Sequence, residues 1–460
     1  MAIRRSIPAL FAVLAIGGLN ACEALEAPDF NNPSAEELEE SPTRSGAVAG
    51  ATGLLIGARE NIARFNGYVS LLGILGRESY NLDGADTRFI TQMLGVDGLQ
   101  LDPGARALGG NLWRERYQNI RNANILLAAL DALPDAPPDG MTPEEKEATR
   151  GFAKTMQALD FLLIINARND NGAPIDVDRP LSDPPAPFVT KQEVFARIVE
   201  LLEEAKGNLA AGGSVFPFPL SSGFAGFDTP ATFLLFNRAL LGRVEVYRME
   251  FDAAAASRAL DALGESFLDE GASLDLGVYH VFGTGSGDAL SQLVDPDLFA
   301  HISIRADAQL QENGVDPDAR FLRKVGPAPD PRTLLGVFSD LRFDPLYPSP
   351  TSPVPIIRNE ELILLRAEAN IGLGNISDAA DDINFIRTTS GGLPERNDLD
   401  ASNILDELLY NKRYSLLFEG GHRWIDMRRH GRLNQLPLDQ PNHTIHSEFP
   451  IPVDETNARQ

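Results

Sequence analysis

Two kinds of segment alternate along the chain, one with apolar residues at helical spacing and one with no regular period. Between Asn111 and Leu133 the residues Trp113, Tyr117, Ile120, Asn124, Leu127 and Leu130 recur three and four apart with polar residues between them, which predicts an amphipathic helix. Gly151 to Ala167 repeats the pattern after the break DAPPDG, so the two form a helical hairpin with no strand alternation intervening. Phe195 to Leu209, with Ile198, Leu201 and Leu202 facing inward, and Ala231 to Tyr247 predict a second pair. Phe251 to Phe267 follows, with alanine at 253–256 and 260, and such small residues let neighbouring helices approach closely. A further pair spans Asn359 to Leu373 and Asn375 to Arg387. Between them Gly374 suits a left-handed C-cap and Asn375 suits the cap of the next helix.

Four hairpins spread over the chain predict an all-α fold of four tetratricopeptide-like pairs with a worn consensus, placed near 111–170, 190–267 and 358–388. The segments between them read differently. Residues 68–110 and 210–230 carry many glycines and aromatics, and a loop-rich insert, 268–355, runs through GVYHVFGTGSGDAL and DPLYPSPTSPVP. Long ordered loops of this kind usually carry function.

The N-terminal residues carry a third pattern. Arg4 and Arg5 precede an almost wholly apolar run from Ile7 to Leu19, then Asn20, Ala21 and the single cysteine, Cys22. That run is too short to cross a bilayer and resembles a bacterial lipoprotein signal, which makes 1–21 a signal peptide and Cys22 a lipidation site. Acyl chains such as palmitate on Cys22 would anchor the protein to a membrane. Residues 22–44, acidic and proline-containing, read as a flexible tether, and 45–460 as the folded domain.

Composition narrows the partners. The net charge is −25, and removal of Arg4 and Arg5 with the signal makes it more negative, which opposes nucleic acid and anionic lipid. A lone cysteine leaves no intramolecular disulfide and no cysteine-based metal site. No histidine pair has HExxH spacing, and Gly283-Thr284-Gly285-Ser286-Gly287 lacks the lysine of a phosphate loop. No cofactor is expected, although Asp83, Asp86, Asp316 and Asp318 supply the hard oxygens of a structural calcium site. Glu419 and Asp426 could in isolation be a glycosidase's carboxylate pair. The surrounding arginines would keep both ionised, which does not suit an acid.

The C-terminal third carries four ordered blocks: Ile356 to Leu362, Arg366 to Asn370 with Glu368 and Asn370, Ala379 to Arg387, and Glu419-Gly420-Gly421-His422-Arg423-Trp424-Ile425-Asp426-Met427-Arg428-Arg429. The chain then closes at Phe449-Pro450-Ile451-Pro452 with Glu455. Together these blocks resemble the SusD/RagB family of outer-membrane nutrient-binding lipoproteins. Trp113, Tyr117, Ile120 and Asn124 match the family's N-terminal helix, so the blocks span nearly the whole mature chain. Physically these motif residues read as structural, with Glu368 and Asn370 bonding across the hairpin and the arginines holding carboxylates.

The resemblance implies a SusD-like fold at the cell surface, lipid-anchored in the outer membrane, that captures oligosaccharides and hands them to a SusC-like TonB-dependent transporter without transforming them. Sugar rings stack on aromatic side chains while amide and guanidinium groups take their hydroxyls. Tyr80, Phe89, Tyr279 and Phe282, with Arg77 and Asn81 as polar neighbours, are the ligand-binding candidates because each lies in a glycine-bearing segment outside the helical stripes. Only two tryptophans are present, both in structural motifs, so the cargo could equally be a peptide. A scaffold protein and a lipid-anchored glycoside hydrolase are the competing readings.

Overall fold

The computed structural model describes residues 35–180, 182–285 and 288–460. The signal peptide 1–21, Cys22 and the tether up to residue 34 lie outside the described residues. The helices run, in chain order, α1 (Ala35–Glu40), α2 (Arg44–Arg59), α3 (Tyr68–Leu75), α4 (Arg88–Thr91), α5 (Asn111–Ala132), α6 (Pro143–Arg168), α7 (Lys191–Ala211), α8 (Pro230–Arg248) and α9 (Ala255–Gly264). They continue as α10 (Ser303–Ala306), α11 (Ala319–Lys324), α12 (Asn359–Leu373), α13 (Ile376–Thr389), α14 (Ile404–Ser415), α15 (His422–Arg429) and α16 (Val453–Asn457). The fold is all-α in class, with a few short strands confined to the connections.

Eight of these helices pack in succession, α2 on α5, then α6, α7, α8, α9, α12 and α13, which makes four pairs. The pairing starts one helix earlier than the sequence pattern predicts. Helix α2 (RSGAVAGATGLLIGAR) is built largely of small residues, which give little periodic signal but let α5 approach closely. The expected tether also ends sooner: residues 35–40 are helical, Leu38 is buried, and Arg44 forms a bidentate pair with Glu145 on α6.

Local chemistry explains where the long helices start. Thr142, Thr190 and Thr229 each cap a helix through a reciprocal capping box, with Glu145, Glu193 and Thr232 as the third residues. Pro143 and Pro230 occupy the first helical position, where the missing N–H costs nothing. Gly374 ends α12 at φ 79°, as expected. Asn375 does not cap α13; its side-chain amide donates to Asn370 Oδ1 at 3.2 Å and ties the turn back to α12.

The insert 268–355 is not loop throughout. Strand β1 (Ser79–Asn81) pairs with β3 (Leu298–Ala300), β2 (Gly277–His280) with β6 (Val354–Arg358), and β4 (Gly326–Leu334) with β5 (Val337–Arg342), all antiparallel. The pairing brings the insert against both the N-terminal region and the start of α12. After α15 an extended strap returns across the N-terminal half. His446 accepts on its carbonyl from Trp424 Nε1, Phe449 N–H donates to the Ala167 carbonyl at 2.9 Å and Val453 N–H to the Pro103 carbonyl at 3.1 Å.

Candidate functional site

The β2–β6 ladder forms one wall of a cleft of about 540 Å³. A register shift between Val278 and Tyr279 sets Tyr279 opposite Pro355, and a bulge of this kind re-aims the side chain that follows it. Pro345, Leu346 and Pro353, from the proline-rich connection into β6, supply apolar surface facing it. The polar rim comes from Asp275 before β2, from Arg323 on α11 and from Thr389 at the end of α13. Arg323 is positioned by donating to the Ser390 carbonyl at 2.9 Å and to Ser390 Oγ at 3.0 Å.

The floor is a buried set of four balanced charges. Arg358 donates to Glu419 at 3.0 Å and also pairs with Glu360, while Lys324 donates to Glu419 at 2.5 Å. Burial opposes ionisation of Glu360, but Arg358 and Lys324 outweigh it and hold the carboxyl at about 2. Glu419 is likewise held below its usual value, burial being overcome by the same two cations. Neither carboxyl is a proton donor at neutral pH. Burial pushes the Tyr279 phenol up to about 12, so it stays neutral, and its hydroxyl donates to the Asp275 carbonyl. The cleft therefore presents a half-buried aromatic ring, proline faces and hydrogen-bonding groups with no net charge in its floor. Such a surface suits a neutral, hydroxyl-rich ligand.

Of the six candidates read from sequence, Tyr279 lines the cleft. Four others are sealed inside the protein. The Arg77 guanidinium is wholly buried and donates to the carbonyls of Ile74, Pro437 and Thr444. Tyr80 is 1% exposed, with its hydroxyl on Asp439, and Asn81 donates to the Phe65 carbonyl. Phe89 packs edge-on to Phe65 with ring centroids 6.2 Å apart. Phe282 is partly buried against the core. Glycine-bearing context does not separate exposed from buried aromatics, because the strap that covers Tyr80 comes from the far end of the sequence while Phe89 is packed by the nearby Phe65. Sequence reasoning missed Arg323, Asp275 and Tyr347; the proline cluster around Tyr347 (DPLYPSPTSP) was the available signal.

Most of the family-motif residues pair or pack inside the protein. Glu368 accepts from Lys412 at 2.8 Å and from Arg429 at 2.7 Å, with His430 at 3.0 Å, and Asp426 accepts from the same lysine and arginine. For both carboxyls these cations overcome the penalty of burial and keep them ionised. Arg387 pairs with Glu407, and the Arg428 guanidinium lies 4.4 Å over the buried Trp424 ring. Arg423 lines a separate cleft beside Asp426 and Arg432, between α14 and the segment after α15. Trp113 is buried, with Tyr117 at 4.5 Å and the Arg168 guanidinium at 5.2 Å, and Asn124 accepts from Gln157.

The four aspartates considered for calcium are already engaged. Asp86 pairs with Arg88, Asp318 is fully buried against Arg320, Asp83 accepts from Ala85 N–H and Asp316 from Asn313. Among the described residues no group of three or more His, Cys, Asp or Glu side chains is placed to hold a metal ion. No helix among them is long and apolar enough to cross a membrane.

Residues 349–458, which include β6, α12 and the whole charged C-terminal block, match the SusD family model. Solved structures extend the likeness to the rest of the fold. A SusD superfamily protein from Bacteroides vulgatus has a TM-score of 0.67 at 14% identity, covering 90% of this chain and 96% of that one. A SusD-like carbohydrate-binding protein from Bacteroides fragilis has 0.66 at 14%, covering 91% and 98%, and a laminarin-binding SusD-like protein has 0.59 at 19%, covering 90% and 97%. No curated protein matches the chain in sequence. The chain therefore has the SusD fold, and the match to the family model is confined to residues 349–458.

Proposed function

We propose that this protein captures oligosaccharides at the cell surface and presents them, unchanged, to a SusC-like TonB-dependent transporter. In this reading Cys22 is acylated and holds the domain on the outer membrane through the residues that precede α1. The observation that carries the proposal is the Tyr279 cleft: an aromatic ring and proline faces above a charge-balanced floor, on a fold shared with a laminarin-binding relative. Binding without chemistry is supported by the carboxylates. Glu419 and Asp426 lie in separate ion clusters that hold both below their ordinary values, whereas glycoside hydrolysis needs one carboxyl kept protonated. A cationic peptide is the second reading, favoured by the net charge of −25 and by Asp275 on the rim.

The test is titration of the purified protein with a panel of neutral oligosaccharides and of basic peptides, with mass analysis of each ligand afterwards. Binding of an intact glycan that is lost in Tyr279→Ala supports the proposal. Peptide binding lost in the same variant moves the cargo to the second reading, and a cleaved ligand overturns the non-enzymatic assignment.

A further inference from the structure

Strand β2 has a second side. Tyr279 borders the cleft and also, with the buried His280 next to it, a pit of about 230 Å³ between α2 and the short turn Ser222–Phe224. The pit walls are apolar, with Leu55, Ala58, Met156, Leu220, Phe224 and Ile356 contributing, and its rim includes Ile56, which is 48% exposed. A cavity of about 150 Å³ with such walls already accepts a benzene ring. Gly223 shapes the pit, since a Cβ there would lie 2.0 Å from the Tyr279 carbonyl oxygen, so only glycine lets the turn lie this close to β2.

Two polar groups lining the pit are unspent, Arg59 Nε, which is buried with no partner, and the His280 ring. His280 is 8% exposed, and no described residue hydrogen-bonds its ring. Burial, with Arg116 and Arg59 nearby, holds the imidazole down at about 3, so it is neutral at physiological pH and keeps one acceptor and one donor. A ligand hydroxyl bonded to the ring would take the place of the solvent that reaches it. At the mouth Arg59 is already neutralised: it pairs with Asp288 at 2.6 Å and donates to the Val281 carbonyl at 2.9 Å. The pit therefore offers no free charge to an anionic ligand.

We propose that the pit is a second binding site, for a small, neutral, largely apolar molecule carrying one hydroxyl, of the alkylphenol class, with that hydroxyl bonded to His280. The site shares Tyr279 with the cleft and differs from it in every other lining residue. It gives the protein a place for an aromatic compound that is separate from its oligomer cargo.

The test titrates the protein by calorimetry or ligand-observed NMR with 4-ethylphenol, ethylbenzene and 4-ethylbenzoate. The expected order is 4-ethylphenol about fivefold tighter than ethylbenzene, the value of one net hydrogen bond, with 4-ethylbenzoate weakest. His280→Phe should erase the difference between phenol and hydrocarbon. Ile56→Trp, a change at the exposed rim that leaves the core alone, should weaken both and decides the matter even if the histidine variant does not fold. Equal binding of phenol and hydrocarbon, tightest binding of the benzoate, or no binding of any of the three at millimolar concentration overturns the proposal. The measurement needs no glycan, so its failure leaves the cleft reading as it stands.

Discussion

Tyr80 and Tyr279 invite comparison, because each sits on a short strand in a glycine-bearing segment, yet one is sealed and the other borders a cleft. Around Tyr80 the strap from Pro437 to His446 lies over β1 and α3. Asp439 receives the Tyr80 hydroxyl, stands 3.1 Å from His301 Nε2 and lies 3.8 Å from the Arg77 guanidinium. Around Tyr279 the neighbouring chain is the proline-rich connection into β6, which stands off far enough to leave a ligand-sized space. The identity of the aromatic does not decide its role. What decides it is whether a distant segment supplies a partner for its polar end.

The sharpest way to break the comparison is to unseal the first site. Asp439→Ala leaves the buried Arg77 and His301 without their carboxylate and should cost about 3–5 kcal/mol, read from the midpoint of urea unfolding. The next effect is one of pH. Glu78, the residue before β1, is buried with Oε2 unpartnered, and burial pushes its carboxyl up to about 8. The folded state thus keeps a proton that the unfolded state has lost. Its contribution to stability is complete below about 4.5 and disappears as pH rises through about 8, with a slope of at most about 1.4 kcal/mol per pH unit. Glu78→Gln should flatten the alkaline limb of a stability profile across that window.

Smaller effects sharpen the contrast. Tyr279→Ala should lower glycan affinity about tenfold or more, an aromatic platform being worth about 1–3 kcal/mol, with less than about 1 kcal/mol lost in unfolding. Tyr80→Phe should do the reverse. It removes one hydrogen bond to Asp439 and costs about 1 kcal/mol in stability, with glycan titrations unchanged. A Tyr80→Phe variant that loses glycan binding while retaining its stability would return Tyr80 to the site.

Acid should loosen the sealed region for a separate reason. Burial holds His301 below its ordinary value despite Asp439, so the unfolded chain takes up that proton first as pH falls below about 6.5. Asp439 is held below its usual range by His301 and Tyr80 against the opposing effect of burial, and its contribution is lost at still lower pH.

Much of the helical layer was legible because its signals are local. Helical spacing placed α5 through α8, and Gly374 marked the end of α12. Helix α2 escaped because a run of glycine and alanine has almost no amphipathic contrast, and the frame of the four pairs shifted with it. The C-terminal charged block was readable as structure because arginines and carboxylates crowd one short stretch. The buried fate of Arg77 and Tyr80 was not readable, since Arg77 meets Pro437 across 360 positions of sequence and Tyr80 meets Asp439 across 359, and no local pattern announces contacts of that length. His280 was invisible as a site for a related reason: its empty surroundings are assembled from α2, the Gly223 turn and β6.

The strap also sets an order of events in time. The residues that complete the surroundings of α3 and β1 are synthesised 360 positions after Arg77, so for most of translation the Arg77 guanidinium has none of its Pro437 and Thr444 acceptors. Contacts of such separation form late and slow a folding reaction. The surroundings of α3 and β1 stay open until the strap arrives, and a chain cut short before residue 437 would keep the Arg77 guanidinium in water.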